Sequence, residues 1–148
     1  MNDKALLDTV NDALNEAELR SDEIPAIDLY VDQILNLIND KLGEGSERYR
    51  DRVLTKTMIN NYAKNDLLPP PNRKKYSKEH ILVLIFIYYY KGFLSIGDIQ
   101  TLLQPLTERY FQTEKDFSLE NIYEEVFQLQ EEQIEVLKRD VMDKYEKA

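Results

Sequence analysis

Apolar residues recur along this chain mainly at three- and four-residue steps, the spacing of one face of an α-helix. The clearest series is Ile27, Tyr30, Val31, Ile34, Leu35, Ile38 and Leu42, which predicts a helix over 26–42. Pro25 suits its first turn, where the missing N–H costs nothing, and Gly43 and Gly45 end it. A thinner stripe, Ala5, Leu6, Leu7, Val10 and Leu14, predicts a polar helix over 3–19, with a break at 20–25. A short helix over 55–64 places Leu54, Met58, Ile59 and Tyr62 on one side and Thr57, Asn60, Asn61 and Lys64 on the other. Asn65 and Asp66 tolerate the left-handed conformation and stop it. Leu67 and Leu68 return to the core, and Pro69-Pro70-Pro71 cannot continue a helix.

Ser77 is a good N-cap for a helix over 78–91 whose run Ile81-Leu82-Val83-Leu84-Ile85-Phe86-Ile87 is apolar on every side. A strand can share that composition. The cap, the length and the helical neighbours favour a central buried helix. The run is too short to span a membrane, which takes about 20 residues. Ser95 through Asp98 matches a capping box, opening a short helix that Pro105 stops at about Gln104. Residues 106–117 read as irregular or as a short helix. Ser118 caps a final helix over 119–144. Its first half carries Leu119, Ile122, Val126 and Leu129, and its second carries Ile134, Leu137, Val141 and Tyr145 in a shifted frame, like a coiled-coil stutter.

Composition supports an all-α chain, because four Gly and five Pro supply little turn chemistry for many strands. The 148 residues divide into a polar N-terminal segment, 1–23, a helical domain, 24–105, and a C-terminal helical segment, 106–148. The absence of Cys excludes disulfides, Cys-ligated zinc and thiol catalysis. With an acidic start, Met1-Asn2-Asp3-Lys4, and no signal-peptide pattern, a cytoplasmic location without membrane contact is expected.

Charge alters the functional picture. The net charge of −9 alone argues against nucleic acid. Residues 47–78, however, hold nine basic side chains against three acidic ones, a local +6 that leaves −15 on the rest. A basic island inside an acidic protein is the footprint of a phosphate-binding surface, and its bland counterpart is a solvated basic loop. Within the island, Thr55, Thr57, Asn60 and Asn61 offer donors and acceptors of the kind that pair with base edges. Lys56 and Lys64 reach for phosphates, and Arg73, Lys74, Lys75 and Tyr76 form an exposed loop suited to backbone contact. Tyr62 and Tyr76 fit phosphate contact and helix packing about equally. His80 has few possible partners, and Glu124-Glu125 and Glu131-Glu132 read as a solvated helix face. No Gly-rich phosphate loop, nucleophile elbow or zinc-binding HExxH occurs, so no enzyme, metal site or cofactor is expected.

Three ordered segments resemble the MerR family: Met58 through Pro69, Lys75-Tyr76-Ser77-Lys78-Glu79-His80-Ile81, and Lys91 through Ile99. The likeness implies a winged helix-turn-helix over about Leu54–Leu103. Its recognition helix would lie at about 55–64 and its short wing at about 72–76, between an N-terminal helix and a long C-terminal helix. It further implies a transcriptional regulator that binds double-stranded DNA as a homodimer through the C-terminal helix, with no small-molecule effector evident. Asn60 and Asn61 stand where MerR proteins carry Arg and Tyr, Asp66 where they carry Gly. Only about seven residues separate Leu68 from Tyr76, so a full two-stranded wing hardly fits. A closer resemblance, over Ile24–Leu103, is to an uncharacterised bacterial domain-of-unknown-function family, number eighteen thirty-six. It is carried by Leu29-Tyr30-Val31-Asp32-Gln33, Leu54 through Tyr62, and Pro69 through Ser77. The alternative use of the same fold is a protein-interaction module that does not bind DNA, its long acidic helix docking on a partner.

Overall fold

A computed structural model describes residues 4–5, 19–42, 53–92, 94–113 and 117–147. After a single 3-10 turn at Ser21–Glu23, the elements are β1 (Leu29–Tyr30), α1 (Val31–Leu42), α2 (Lys56–Lys64), β2 (Lys75–Tyr76), α3 (Lys78–Tyr90), α4 (Ile96–Tyr110) and α5 (Leu119–Lys147). The chain is mostly helical with one small antiparallel sheet, in which Leu29 faces Tyr76 and Tyr30 faces Lys75. The expected all-α class is corrected to that extent. The expected N-terminal helix, 3–19, lies almost wholly outside the described residues.

α3 is the axis of the fold. Ser77 caps it, its Oγ accepting the His80 N–H, and every residue from His80 to Tyr89 is buried. A helix apolar on all sides needs neighbours all round. α4, α5 and β2 pack directly against it, and α1 packs against α2 and β1. One hydrophobic cluster runs from Leu19 to Phe127. Its aromatic part joins Phe86 of α3 to Tyr123 and Phe127 of α5, with ring centroids 5.4 and 6.2 Å away.

Two boundaries and one buried face differ from the sequence pattern. The helix expected over 26–42 begins only at Val31, because Leu29 and Tyr30 pair with β2 and the Tyr30 N–H is taken by Gln33 Oε1 at 2.9 Å. Ile27 and Tyr30 are therefore exposed rather than part of the apolar stripe. The helix expected to stop at Pro105 runs through it to Tyr110, since Leu106 and Tyr110 pack on the core beyond the proline. The core stripe of α5 is Leu119, Tyr123 and Phe127, whereas Leu129 faces outward.

Thirteen positions, 43–55, separate α1 from α2, so no three- or four-residue turn joins them. The two helices are tied instead by Asn39, whose side chain donates to Leu54 O at 3.1 Å and accepts from Leu54 N–H at 3.3 Å. Tyr88 Oη donates to Leu42 O at 3.1 Å and satisfies one of the free carbonyls at the end of α1.

Candidate nucleic-acid interface

α2 is a nine-residue helix whose start is set by Thr55, its Oγ1 accepting the Met58 N–H at 3.2 Å. Ile59 and Tyr62 turn into the core, which aims the opposite face outward by helical spacing alone. Thr55, Lys56, Thr57, Asn60, Asn61 and Lys64 are all exposed. Three contacts hold the helix in place. The Asn39 clamp acts at its start, Lys91 Nζ sits 3.7 Å from Met58 Sδ, and Gln100 Nε2 donates to Asn65 O at 3.3 Å. Burial pushes the Lys91 ammonium below its ordinary pKa.

Beyond α2 the chain reverses at Asp66, which adopts a left-handed φ of 59°, and both Leu67 and Leu68 donate their N–H to Tyr62 O. The prolines then lead to a tight turn. Asn72 and Lys75 exchange two backbone hydrogen bonds of 3.0 Å, with Arg73 and Lys74 at φ 51° and 67°. Positive φ at both central residues marks the mirror-image turn found between hairpin strands, so two residues suffice to reverse the chain. The short spacing from Leu68 to Tyr76 accommodates this isolated bridge between Asn72 and Lys75, and no full two-stranded hairpin forms there. The far side of β2 pairs with β1, a partner forty-five residues upstream.

The turn and its flank put Arg73, Lys74 and Lys75 at the surface. Lys75 Nζ lies 5.1 Å from the centre of the exposed Tyr30 ring, a cation–π contact the sequence pattern did not point to because it placed Tyr30 inside a helix. Tyr76 departs from its expected role. It is 3% exposed and meets His80 edge-on, so it is a packing residue with little surface for a phosphate. Tyr62 is buried as well, and burial raises the pKa of both phenols. Lys78 pairs with Glu120 at 2.9 Å and leaves the basic surface. Among the described residues no carboxylate pairs with Lys56, Lys64, Arg73, Lys74 or Lys75. Arg48, Arg50 and Arg52 of the basic island lie outside the described residues.

His80 locks the turn to the core. Its Nδ1 accepts the Ser77 N–H at 2.9 Å, so the proton sits on Nε2, which donates to Pro70 O at 3.1 Å. Tyr76 and Phe111 meet the ring edge-on from two sides. Burial pushes its pKa below the ordinary value, while the carbonyls of Pro70 and Pro69 and the charge of Asp28 act the other way. Among the described residues no group of three His, Cys, Asp or Glu side chains could hold a metal ion, and no helix is long and apolar enough to cross a membrane.

A family model described as "Domain of unknown function (DUF1836)" matches residues 19–126. No curated protein and no solved structure matches the chain.

Proposed function

The chain belongs to the DUF1836 family, and on that premise we propose that it is a DNA-binding transcriptional regulator of MerR-like design. α2 serves as its recognition helix and the Asn72–Lys75 turn as its wing. Thr57, Asn60 and Asn61 read base edges in the major groove, while Lys56, Lys64, Arg73, Lys74 and Lys75 hold the phosphates. No step calls for a cofactor or an enzymatic activity.

The observation that carries this reading is the composition of the turn. Both of its central positions hold a left-handed φ, which favours Asn and Gly and costs an L side chain roughly 1–2 kcal/mol. The chain places Arg73 and Lys74 there instead, both exposed and, among the described residues, without a carboxylate partner. Strain kept in favour of two exposed cations is accounted for by an anionic ligand. The charge map agrees, since a polyanion binding here would be repelled by the acidic remainder at other approaches.

Fluorescence anisotropy with a labelled mixed-sequence duplex at about 50 and 200 mM salt tests the proposal. Affinity should fall with salt at a logarithmic slope of about −0.9 per phosphate neutralised. The triple variant Lys56→Ala, Arg73→Ala, Lys74→Ala should flatten that slope by up to about 3. Lys74→Gly should weaken binding while raising stability by up to about 1 kcal/mol, which separates the role of the charge from that of the fold. No binding at the lower salt sinks the proposal and leaves the same surface to a protein partner.

A further inference from the structure

The small sheet has one face in the core and one in solvent. Successive strand residues point to opposite sides, so with Leu29 and Tyr76 buried, their neighbours Tyr30 and Lys75 both face out. The two stand directly opposite each other in the register, and Lys75 Nζ lies 5.1 Å from the centre of the Tyr30 ring. Tyr30 is 51% exposed. Its backbone is held by the pairing with β2 and by the bond from its N–H to Gln33 Oε1 at 2.9 Å. Among the described residues none accepts its hydroxyl, and no carboxylate pairs with Lys75. The sheet thus presents a phenol and an ammonium, donors on a fixed backbone, beside the Arg73–Lys74 turn.

We propose that Tyr30 and Lys75 act together as a clamp on one phosphate of the bound duplex, which makes Tyr30 a DNA-binding residue outside the recognition helix and the turn. The proposal rests on the DNA reading and extends its surface to β1. A phosphodiester presents a pair of non-bridging oxygens. The ammonium pairs with one, and the phenol O–H donates to the other. The ring has a further task. Its cation–π contact keeps the Lys75 ammonium beside the sheet, where a bare lysine side chain would spread over many rotamers. Tyrosine loses little freedom on binding, because only two side-chain torsions are fixed. The bland use of such a ring is to cover the Lys75 stem. Phenylalanine would serve that purpose equally well, so the hydroxyl separates the two roles.

Fluorescence anisotropy of the full chain with a mixed-sequence duplex at about 50 and 200 mM salt reads the hydroxyl. Tyr30→Phe keeps the ring and removes no charge, so it should weaken binding about three- to tenfold at an unchanged salt slope. Lys75→Ala should lower the slope by about 1. Because both groups hold the same phosphate, the double variant should lose less than the product of the single losses. The variants should keep the far-ultraviolet circular dichroism of the parent, since both side chains are exposed. A second measurement does not depend on affinity. Tetranitromethane nitrates exposed tyrosines, and with the duplex bound Tyr30 should react more slowly relative to Tyr145 of α5, which is also exposed. Tyr30→Phe binding as tightly as the parent, single losses that multiply, or protection at Tyr30 no greater than at Tyr145 overturns the proposal and leaves the DNA reading standing. A parent that binds no duplex removes both.

Discussion

His80 shows how much a single side chain organises near the candidate interface. It is the only histidine in the chain, is 2% exposed, and has a hydrogen-bond partner on each ring nitrogen. Burial disfavours the charged ring, so the folded state prefers neutral His80 and its pKa lies below 6.5. A depressed histidine contributes stability that is full above the unfolded pKa and is lost as pH falls through the folded value. Its neighbour Glu79 acts in the opposite sense. Burial raises its carboxyl above 4.5, against the hydrogen bond from the Gln112 N–H, with Glu120 adding a smaller push upward. That contribution is present below 4.5 and is lost as pH rises through the raised value. In a Glu79→Gln background, denaturant stability should therefore decline as pH is lowered from about 7 to 5.5. The imidazole signal, unambiguous with one histidine, should titrate with a midpoint under 6.5. A midpoint at or above that value removes the argument.

At the scale of elements, α4 shows packing overriding local chemistry. Pro105 sits at the tenth of fifteen positions, where it supplies no N–H to Thr101 O and crowds the preceding turn. The helix nevertheless continues for five residues, because Leu106 and Tyr110 reach the core and the Phe111 N–H closes on Thr107 O at 3.3 Å. Restoring the missing donor should be favourable. Pro105→Ala is expected to raise unfolding free energy by about 1–3 kcal/mol in a denaturant titration. An unchanged or lowered midpoint would mean that the proline is accommodated without cost. α3 is the contrasting case, since its cap, its apolar length and its stop at Gly92 all agree with the helix that forms.

Across the whole molecule, the apolar cluster extends down α5 as far as Phe127 and no further among the described residues. Phe127 meets Tyr123 in a tilted pair at 4.5 Å and lies 5.3 Å from Tyr89, and Tyr123 Oη donates to Leu19 O, joining the N-terminal segment to the long helix. From Gln128 to Lys147 no residue is fully buried. Thermal unfolding of two variants should show the boundary. Phe127→Ala should cost about 3–5 kcal/mol through the cavity it leaves. Val136→Ala should stay within about 0.5 kcal/mol at concentrations where the chain is monomeric. Equal losses would place the core boundary elsewhere. The charge distribution belongs to this scale as well, with a local basic surface around α2 and the turn on a chain of net charge −9.

What the sequence determined by itself was whatever depends on neighbours in the chain. Thr55 and Ser77 cap their helices, Asn65-Asp66 reverses the backbone, Leu67-Leu68 goes inside, and Lys56, Asn60, Asn61 and Lys64 share an outward face, all through contacts within about one helical turn. The tertiary structure decided what depends on residues distant in sequence. Whether Leu29 and Tyr30 begin a helix or pair as a strand turns on Lys75 and Tyr76. Whether Tyr76 faces a ligand or the core turns on His80, itself held against Pro70 O. The stripe of α5 that becomes core is chosen by the rings of Phe86 and Tyr89 waiting on another helix. Periodicity displays every apolar face a helix could bury, but only the rest of the fold supplies the surface that buries one of them.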